Sequence, residues 1–198
     1  LSENFFYLND DIFFGMPVDK NWWFDEGLKY FYDNEPHDEY SKLQPMLLSP
    51  INSSIQSKLW LKEKYKNYKH RNKALAHAPR PYKKSFLLEV EKEAKDLFNK
   101  VRSTNFRSWK TPAVLVDFVP RWLEQHGYAK IVQTDFLYIE SGSYEIKIEL
   151  ELLRQKFGKI PFFCINDTCD DADDLDKRLQ LVREEMEILL PNKSSFEI

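Results

Sequence analysis

Short apolar runs that favour β-strands alternate along this chain with longer segments whose apolar residues recur at helical spacing. The main strand-like runs are 5–8, 12–15 and 160–165, and the main helix-like segments are 51–68, 85–101, 143–157 and 175–190. Periods of three to four residues indicate helices that bury one face. Strands that alternate with helices predict an α/β fold, with a mixed sheet and flanking helices.

Aromatic residues flank a short Gly-containing segment near the N-terminus. Residues 22–24 and 28–32 lie on either side of Asp25-Glu26-Gly27, a spacing that predicts a β-hairpin. The following segment, 33–50, holds three prolines and many polar side chains. It is therefore predicted to be a loop.

Prolines also punctuate the centre of the chain. Residues 74–81 predict a short strand that two prolines interrupt. Pro112 suits the first turn of a helix that Gly127 ends, and Pro120 is expected to kink or split this helix because it has no N–H. Residues 131–139 predict a single further strand.

Length and composition limit the function classes. A chain of 198 residues with 42% hydrophobic residues can bury the core of one domain, and we expect a single catalytic-type domain over 1–198. The net charge of -3 gives no basic field, which argues against nucleic acid as a partner. No apolar run approaches the roughly 18 to 20 residues that span a bilayer.

Two cysteines, Cys164 and Cys169, are too few for a disulfide framework. A local disulfide between them stays open, and a buried, reduced thiol is the simpler interpretation of Cys164. The chain starts at Leu1 and enters a strand-like run almost at once. We therefore expect it to be a piece of a longer protein.

Two apolar runs lead directly into Asn and Asp residues. Asn9-Asp10-Asp11 follows the first run, and Asn166-Asp167 follows the run at 160–165. Carboxylate and carboxamide oxygens are ligands for hard divalent cations, and diphosphates bind through such cations. Each junction alone also fits a strand-ending turn, where Asn and Asp are favoured. Two junctions in one chain indicate one shared site that holds Mg²⁺ or Mn²⁺.

His77 stands in an unusual setting, between a small apolar segment and Pro79-Arg80-Pro81. The restricted backbone of the prolines would hold the imidazole in place, and a fixed imidazole is a suitable general base for a sugar hydroxyl. A structural histidine is the alternative. Arg80 and Arg107 are candidate phosphate ligands because a guanidinium matches two phosphate oxygens, and ordinary surface arginines are the alternative.

Three stretches of the chain resemble the Stealth family of sugar-1-phosphate transferases. This family includes the α/β subunit of the lysosomal-enzyme GlcNAc-1-phosphotransferase and microbial capsule phosphotransferases. Residues 1–20, with Phe5-Phe6-Tyr7-Leu8-Asn9-Asp10-Asp11-Ile12-Phe13-Phe14-Gly15, are similar to the end of its second conserved region. Residues 72–110, with His77-Ala78-Pro79-Arg80-Pro81 and Asn105-Phe106-Arg107, resemble the third, and 160–198, with Phe162-Phe163-Cys164-Ile165-Asn166-Asp167, resemble the fourth.

The resemblance implies a partial nucleotide-sugar transferase core that is incomplete at its N-terminus, since the first conserved region and most of the second are absent. Arg80 stands where many members carry a second histidine. A membrane anchor, if the full protein has one, would lie outside this chain. The implied location is the lumen of a Golgi-type secretory compartment in a eukaryote, or the cytoplasmic side of the membrane in a bacterium.

The implied reaction transfers a sugar-1-phosphate from a nucleoside-diphosphate sugar to a hydroxyl of an acceptor glycan and releases a nucleoside monophosphate. The resemblance assigns Asp11 and Asp10 to the divalent metal and His77 to the acceptor proton. Arg107 would stabilise the transferred phosphoryl group. The remaining residues that would bind substrate are Asn9, Arg80, Asn166 and Asp167.

Two other functions remain open from the sequence. A metal-dependent glycosyltransferase also carries Asp at a strand end, and it would release a nucleoside diphosphate. An inactive carbohydrate-binding fragment would account for the absent N-terminal regions.

Overall fold

The computed structural model describes residues 2–106, 108–170, 172–173 and 176–193. The chain forms two compact units, one from residues 1–7 and 19–134 and the other from residues 8–18 and 135–198. The elements in chain order are β1 (Asn4–Tyr7), β2 (Ile12–Phe14), α1 (Lys20–Phe24), β3 (Leu28–Pro36), α2 (Ser49–Lys64), β4 (Lys73–Leu75), β5 (Arg80–Lys83), α3 (Lys84–Glu93), α4 (Lys95–Arg102), a π-helical turn (Val114–Phe118), α5 (Val119–Gln125), β6 (Ala129–Val132), β7 (Leu137–Glu140), α6 (Ile146–Lys156), β8 (Phe162–Asn166) and α7 (Arg178–Leu189). The fold is α/β with mixed sheets and flanking helices, as predicted.

The first unit contains two small sheets. Strand β3 lies between β4, its antiparallel neighbour, and β6, its parallel neighbour. Strands β1 and β5 form a separate antiparallel pair. The buried side chains of this unit include Leu28, Tyr30, Phe31, Ile55, Leu61, Val90, Trp122 and Leu123.

The second unit is built on the sheet β2-β8-β7, in which β8 runs antiparallel to β2 and parallel to β7. Its core combines apolar residues of α6, of the two longer strands and of the segment before β8: Ile139, Ile146, Leu150, Leu153, Ile160, Phe163 and Ile165. Gly15 follows β2 where a Cβ atom would lie 2.6 Å from the carbonyl oxygen of Ile160. Only glycine permits this close approach of two backbone segments.

The predicted hairpin at 22–32 is wrong. Residues 22–24 lie in α1, and the Asp19 side chain caps this helix by accepting from Asn21 N at 2.9 Å. Gly27 has φ +93, so it turns the chain from the helix into β3. The capping carboxylate and the turn override the strand preference of the aromatic residues.

Other boundaries also differ from the prediction. The helix predicted over 85–101 divides into α3 and α4 at Ala94, whose backbone (φ -103, ψ 40) is not helical. The single strand predicted over 131–139 is two strands, β6 and β7, in different sheets. The predicted loop 33–50 is shorter because β3 continues to Pro36, and the segment 74–81 contributes to two strands, β4 and β5.

Pro120 splits its helix, as predicted. The preceding residues form a π-helical turn in which Phe118 N donates to Ala113 O at 3.3 Å, and α5 then starts at Val119. A proline has no N–H for the regular ladder and clashes with the preceding turn, which favours such an irregularity. The helices predicted over 51–68, 143–157 and 175–190 are confirmed with different ends: α2 starts earlier, at Ser49, and ends at Lys64, whereas α6 and α7 are shorter at both ends. Within the described residues no helix is both long and apolar enough to cross a bilayer.

Candidate functional site

The two acidic junctions lie at the same end of the sheet in the second unit. Ile12 pairs with Cys164 in the antiparallel ladder, and Ile165 N donates to Asp11 O at 2.9 Å. The start of β2 therefore lies beside the end of β8. The structure thus brings Asn9-Asp10-Asp11 and Asn166-Asp167 together, as the sequence predicted for a shared site.

The first junction differs in one respect from its prediction. Strand β1 ends at Tyr7, is only partly buried, and belongs to the first unit. Asn9-Asp10-Asp11 is instead the turn that begins β2, with Ile12 N donating to Asn9 O at 3.3 Å. The turn therefore lies between β1 and β2, and the strand that precedes it is only partly buried.

The carboxylates of this turn differ in exposure. Asp10 is exposed, whereas Asp11 is half-buried. The buried thiol of Cys164 donates to Asp11 Oδ2 at 3.4 Å. A weak neutral donor fixes the direction of this carboxylate without neutralising its charge.

The second junction is held by side chains around it. Asn166 Nδ2 donates to Tyr138 Oη at 2.9 Å. Asp167 is exposed, and its Oδ1 atom accepts from Ser141 Oγ at 3.1 Å and from Cys169 N at 3.0 Å. One oxygen of Asp167 therefore closes an Asx turn.

Residues after β7 support this turn. Ser141 is buried, and its Oγ accepts from Thr168 N at 3.0 Å. Gly142 N donates to Thr168 Oγ1 at 2.9 Å, and a Cβ atom at Gly142 would lie 2.6 Å from Thr168 O. Burial raises the pKa of the nearby Tyr138 phenol, so the phenol keeps its proton and can act as a donor.

His77 lies in the first unit, in the segment that joins β4 to β5. It is half-buried, while its neighbours Ala76 and Ala78 are buried. Arg80 is only 5% exposed. Its Nη2 donates to Ala76 O and its Nη1 to Ala78 O, both at 3.0 Å. Burial lowers the pKa of the guanidinium, and three neighbouring tyrosines oppose this shift.

A buried ion pair anchors the strand that leads to His77. Arg121 Nε donates to both carboxylate oxygens of Asp117 at 3.1 Å, and Arg121 is 1% exposed. Its Nη2 also donates to Lys73 O, the first residue of β4, at 2.5 Å, and to Ser54 Oγ at 3.2 Å. One guanidinium thus connects α2, α5 and β4.

Arg107 lies outside the described residues, and so do residues 171, 174–175 and 194–198 of the segment that resembles the fourth conserved region. Nothing structural is assigned to them.

Sequence reasoning missed the residues that support the two junctions and the His77 segment. Cys164 precedes Asn166 by two positions in a strand, a spacing that places both side chains on one face. Asp117 and Arg121 have the i,i+4 spacing of a helical ion pair within an apolar segment. These signals were available. Ser141 gave none, because its partners are distant in sequence.

The oxygen atoms at the end of the sheet suit a hard divalent cation. Asp10 and Asp11 supply carboxylates, and Asn9 and Asn166 supply carboxamides. Mg²⁺ and Mn²⁺ prefer such ligands over thiols and imidazoles. The residues present therefore fit the metal that the family resemblance implies.

Comparison with known proteins gives relatives of one class, and no protein-family model matches the chain. An exopolysaccharide phosphotransferase of Streptomyces coelicolor is 26% identical over 212 residues, which cover 100% of this chain and 33% of the relative. The exopolysaccharide phosphotransferase CpsY of Mycobacterium tuberculosis is 29% identical over 169 residues, covering 84% and 31%. The capsular polysaccharide phosphotransferase SacB of Neisseria meningitidis serogroup A is 26% identical over 214 residues, covering 100% and 37%.

These relatives are polysaccharide phosphotransferases of the Stealth family, at modest identity to this chain. The resemblance stated from the sequence is thus confirmed, and the names of these relatives support a transferase role. The chain spans about a third of the length of these curated relatives.

Proposed function

We propose that this chain carries the catalytic part of a sugar-1-phosphate transferase. The observation that carries the proposal is the meeting of Asn9-Asp10-Asp11 and Asn166-Asp167 at one end of a sheet, in a chain whose relatives are named polysaccharide phosphotransferases. Carboxylate and carboxamide side chains on neighbouring turns at one end of a sheet suit a metal-bound diphosphate.

In the proposed reaction a hydroxyl oxygen of an acceptor glycan attacks the phosphorus atom that carries the donor sugar. The bond between this phosphorus and the oxygen that bridges to the second phosphate breaks. The bridging oxygen leaves with the nucleoside monophosphate, and the hydroxyl proton passes to a base. The products are a sugar-phosphate-sugar diester and a nucleoside monophosphate.

The residues divide into four roles. Asp10 and Asp11 would hold Mg²⁺ or Mn²⁺, which when bound neutralises charge on the diphosphate. Asn9, Asn166 and Asp167 would orient the donor beside these carboxylates. His77 would accept the hydroxyl proton at an imidazole nitrogen, and Arg107 would stabilise charge on the transferred phosphoryl group. Phosphoryl transfer depends mainly on positioning the reactants and neutralising charge, and these residues supply the types of group that both tasks need.

A panel of nucleotide sugars tests the proposal. The full-length protein is incubated with each nucleotide sugar, an oligosaccharide acceptor, and Mg²⁺ or Mn²⁺, and the released nucleotide is identified by chromatography. The proposal predicts a nucleoside monophosphate together with a diester signal in the ³¹P NMR spectrum of the glycan. Release of a nucleoside diphosphate without a diester would instead support the metal-dependent glycosyltransferase. Binding of glycans without any turnover would support the inactive fragment.

A further inference from the structure

We infer that Arg80 is a positioning residue that fixes the backbone on both sides of His77. Its side chain turns back along the chain, and its two terminal nitrogens donate to the carbonyls of Ala76 and Ala78 at 3.0 Å each. These are the residues immediately before and after His77. The inference rests on the proposed function, in which His77 accepts the acceptor proton.

The geometry commits the guanidinium to this task. Arg80 is 5% exposed, so little of it can meet a substrate from solvent. A charge at this depth needs polar partners, and two carbonyl dipoles supply them. The tyrosines that oppose its pKa shift, Tyr7, Tyr30 and Tyr82, surround it on the strands of its own unit. Arg80 was predicted to bind phosphate, and its buried donors favour the backbone role.

The two hydrogen bonds restrict the direction of the imidazole. The carbonyl of Ala76 belongs to the peptide plane that enters His77, and the carbonyl of Ala78 belongs to the plane that links Ala78 to Pro79. The two hydrogen bonds therefore hold the backbone directly before His77 and one residue after it. Ala76 N also donates to Phe31 O at 2.9 Å, which ties the segment to β3. On the other side Pro79 has a restricted φ angle. The base is therefore held by its backbone, and a small displacement would misalign it with the acceptor hydroxyl.

Steady-state kinetics of Arg80→Ala test the inference, with the full-length protein and the nucleotide sugar and acceptor that the panel identifies. We expect kcat to fall on the order of 100-fold, because misplacing a reacting group by about 1 Å costs that much. The KM for the nucleotide sugar should stay nearly constant, since no ground-state contact is lost. Guanidinium ions at low millimolar concentration should restore part of kcat, whereas methylammonium and urea should not.

Two further variants keep the test decisive. Arg80→Lys retains the aliphatic stem and the charge. It should therefore fold even if Arg80→Ala fails to fold, and its kcat should fall less. Tyr30→Phe is the matched control. It removes the buried hydrogen bond from Tyr30 Oη to Pro81 O, and Pro81 lies next to Arg80 in β5. The hydrogen bonds to the carbonyls of Ala76 and Ala78 remain. We expect Tyr30→Phe to keep kcat near the wild-type value.

Amide hydrogen exchange gives a readout that does not need activity. Exchange in peptides covering 73–79 should rise in Arg80→Ala and stay unchanged in Tyr30→Phe. The inference is overturned if Arg80→Ala raises the KM for the nucleotide sugar with kcat retained, which would indicate a phosphate ligand. It is also overturned if neither kcat nor exchange changes. His77→Gln separates the two proposals. Full activity in His77→Gln contradicts the role of His77. Loss of activity in His77→Gln, together with unchanged kcat in Arg80→Ala, contradicts only the role of Arg80.

Discussion

The predicted site residues in the two units are held in place by different kinds of contact. In the second unit the acidic turns are fixed by neutral groups: the thiol of Cys164, the phenol of Tyr138 and the hydroxyl of Ser141. In the first unit the segment around His77 is fixed by the buried guanidiniums of Arg80 and Arg121. The supporting groups of the first arrangement are uncharged, whereas those of the second are buried cations.

This difference has a consequence for stability and for ligand binding. A neutral hydrogen bond contributes about 1 kcal/mol net, so turns held this way can adjust to a ligand at low cost. A buried ion pair that loses one partner leaves an uncompensated charge. We therefore expect the His77 segment to be rigid and intolerant of substitution, and the acidic turns to tolerate conservative changes in their supports.

The largest expected effect comes from the buried ion pair of the first unit. Arg121→Met leaves Asp117 buried without its partner, and we expect the free energy of unfolding to fall by about 3–5 kcal/mol. Chemical denaturation of the chain measures this loss. The control is the double variant Arg121→Met/Asp117→Leu, which removes both charges. It should recover much of the loss, because Ser57 keeps a second acceptor, Ser53 O at 3.1 Å.

A smaller effect is expected from the neutral supports of the second unit. Ser141→Ala removes the acceptor of Thr168 N and a donor to Asp167, at a cost of about 1–3 kcal/mol in the free energy of unfolding. The exposed Ser103, whose hydroxyl donates to Lys100 O, provides the control Ser103→Ala, which should change little. A loss from Ser141→Ala as large as that from Arg121→Met would remove the distinction between the units.

The effect that is smallest near neutral pH is a pH dependence in the first unit. His70 contacts Ser54 Oγ and Tyr68 Oη, both at 3.0 Å, and burial lowers the pKa of its imidazole from 6.5 to about 2, aided by the charge of Arg121. The folded chain therefore keeps His70 neutral, while the unfolded chain binds a proton below pH 6.5. The contribution of neutral His70 to the free energy of unfolding is complete above pH 6.5. It declines as the pH falls from 6.5 towards 2, by up to about 1.4 kcal/mol per pH unit.

Urea denaturation between pH 7.5 and pH 5 measures this slope. The stability of wild type should decline more steeply than that of His70→Gln, and the two curves should converge towards acid pH. The raised carboxyl pKa values of Glu124 and Glu149 are common to both proteins and cancel in the difference. Parallel curves would show that His70 gains protons equally in both states.

The acidic end of the sheet could be predicted from the sequence because strand-forming runs and turn residues are local signals. The prediction placed the two junctions together, and Asn9-Asp10-Asp11 both follows β1 and begins β2. The antiparallel pairing of β2 with β8 brings both junctions to one end. The register depends on the packing of distant segments, which no local pattern reveals.

The surroundings of Arg80 could not be predicted in the same way. The sequence predicted that Arg80 binds phosphate through its guanidinium, with an ordinary surface arginine as the alternative. The burial of Arg80 comes from β1 and β3, which bring Tyr7 and Tyr30 near it from distant parts of the chain. The hairpin predicted over 22–32 failed for a local reason, since Asp19 caps a helix that the aromatic residues alone do not favour.

Substitution of Asp11 in the full-length protein tests the proposed phosphotransfer site most directly. Asp11→Asn keeps the shape of the side chain and an acceptor for Cys164, and it removes only the charge. We predict a loss of diester formation of about 100-fold or more with an unchanged Tm. The control is Asp135→Asn in the same unit, which loses an exposed ion pair with Lys156 and should retain full activity. Diester formation by Asp11→Asn at the rate of Asp135→Asn would contradict a role for the acidic turn in phosphotransfer.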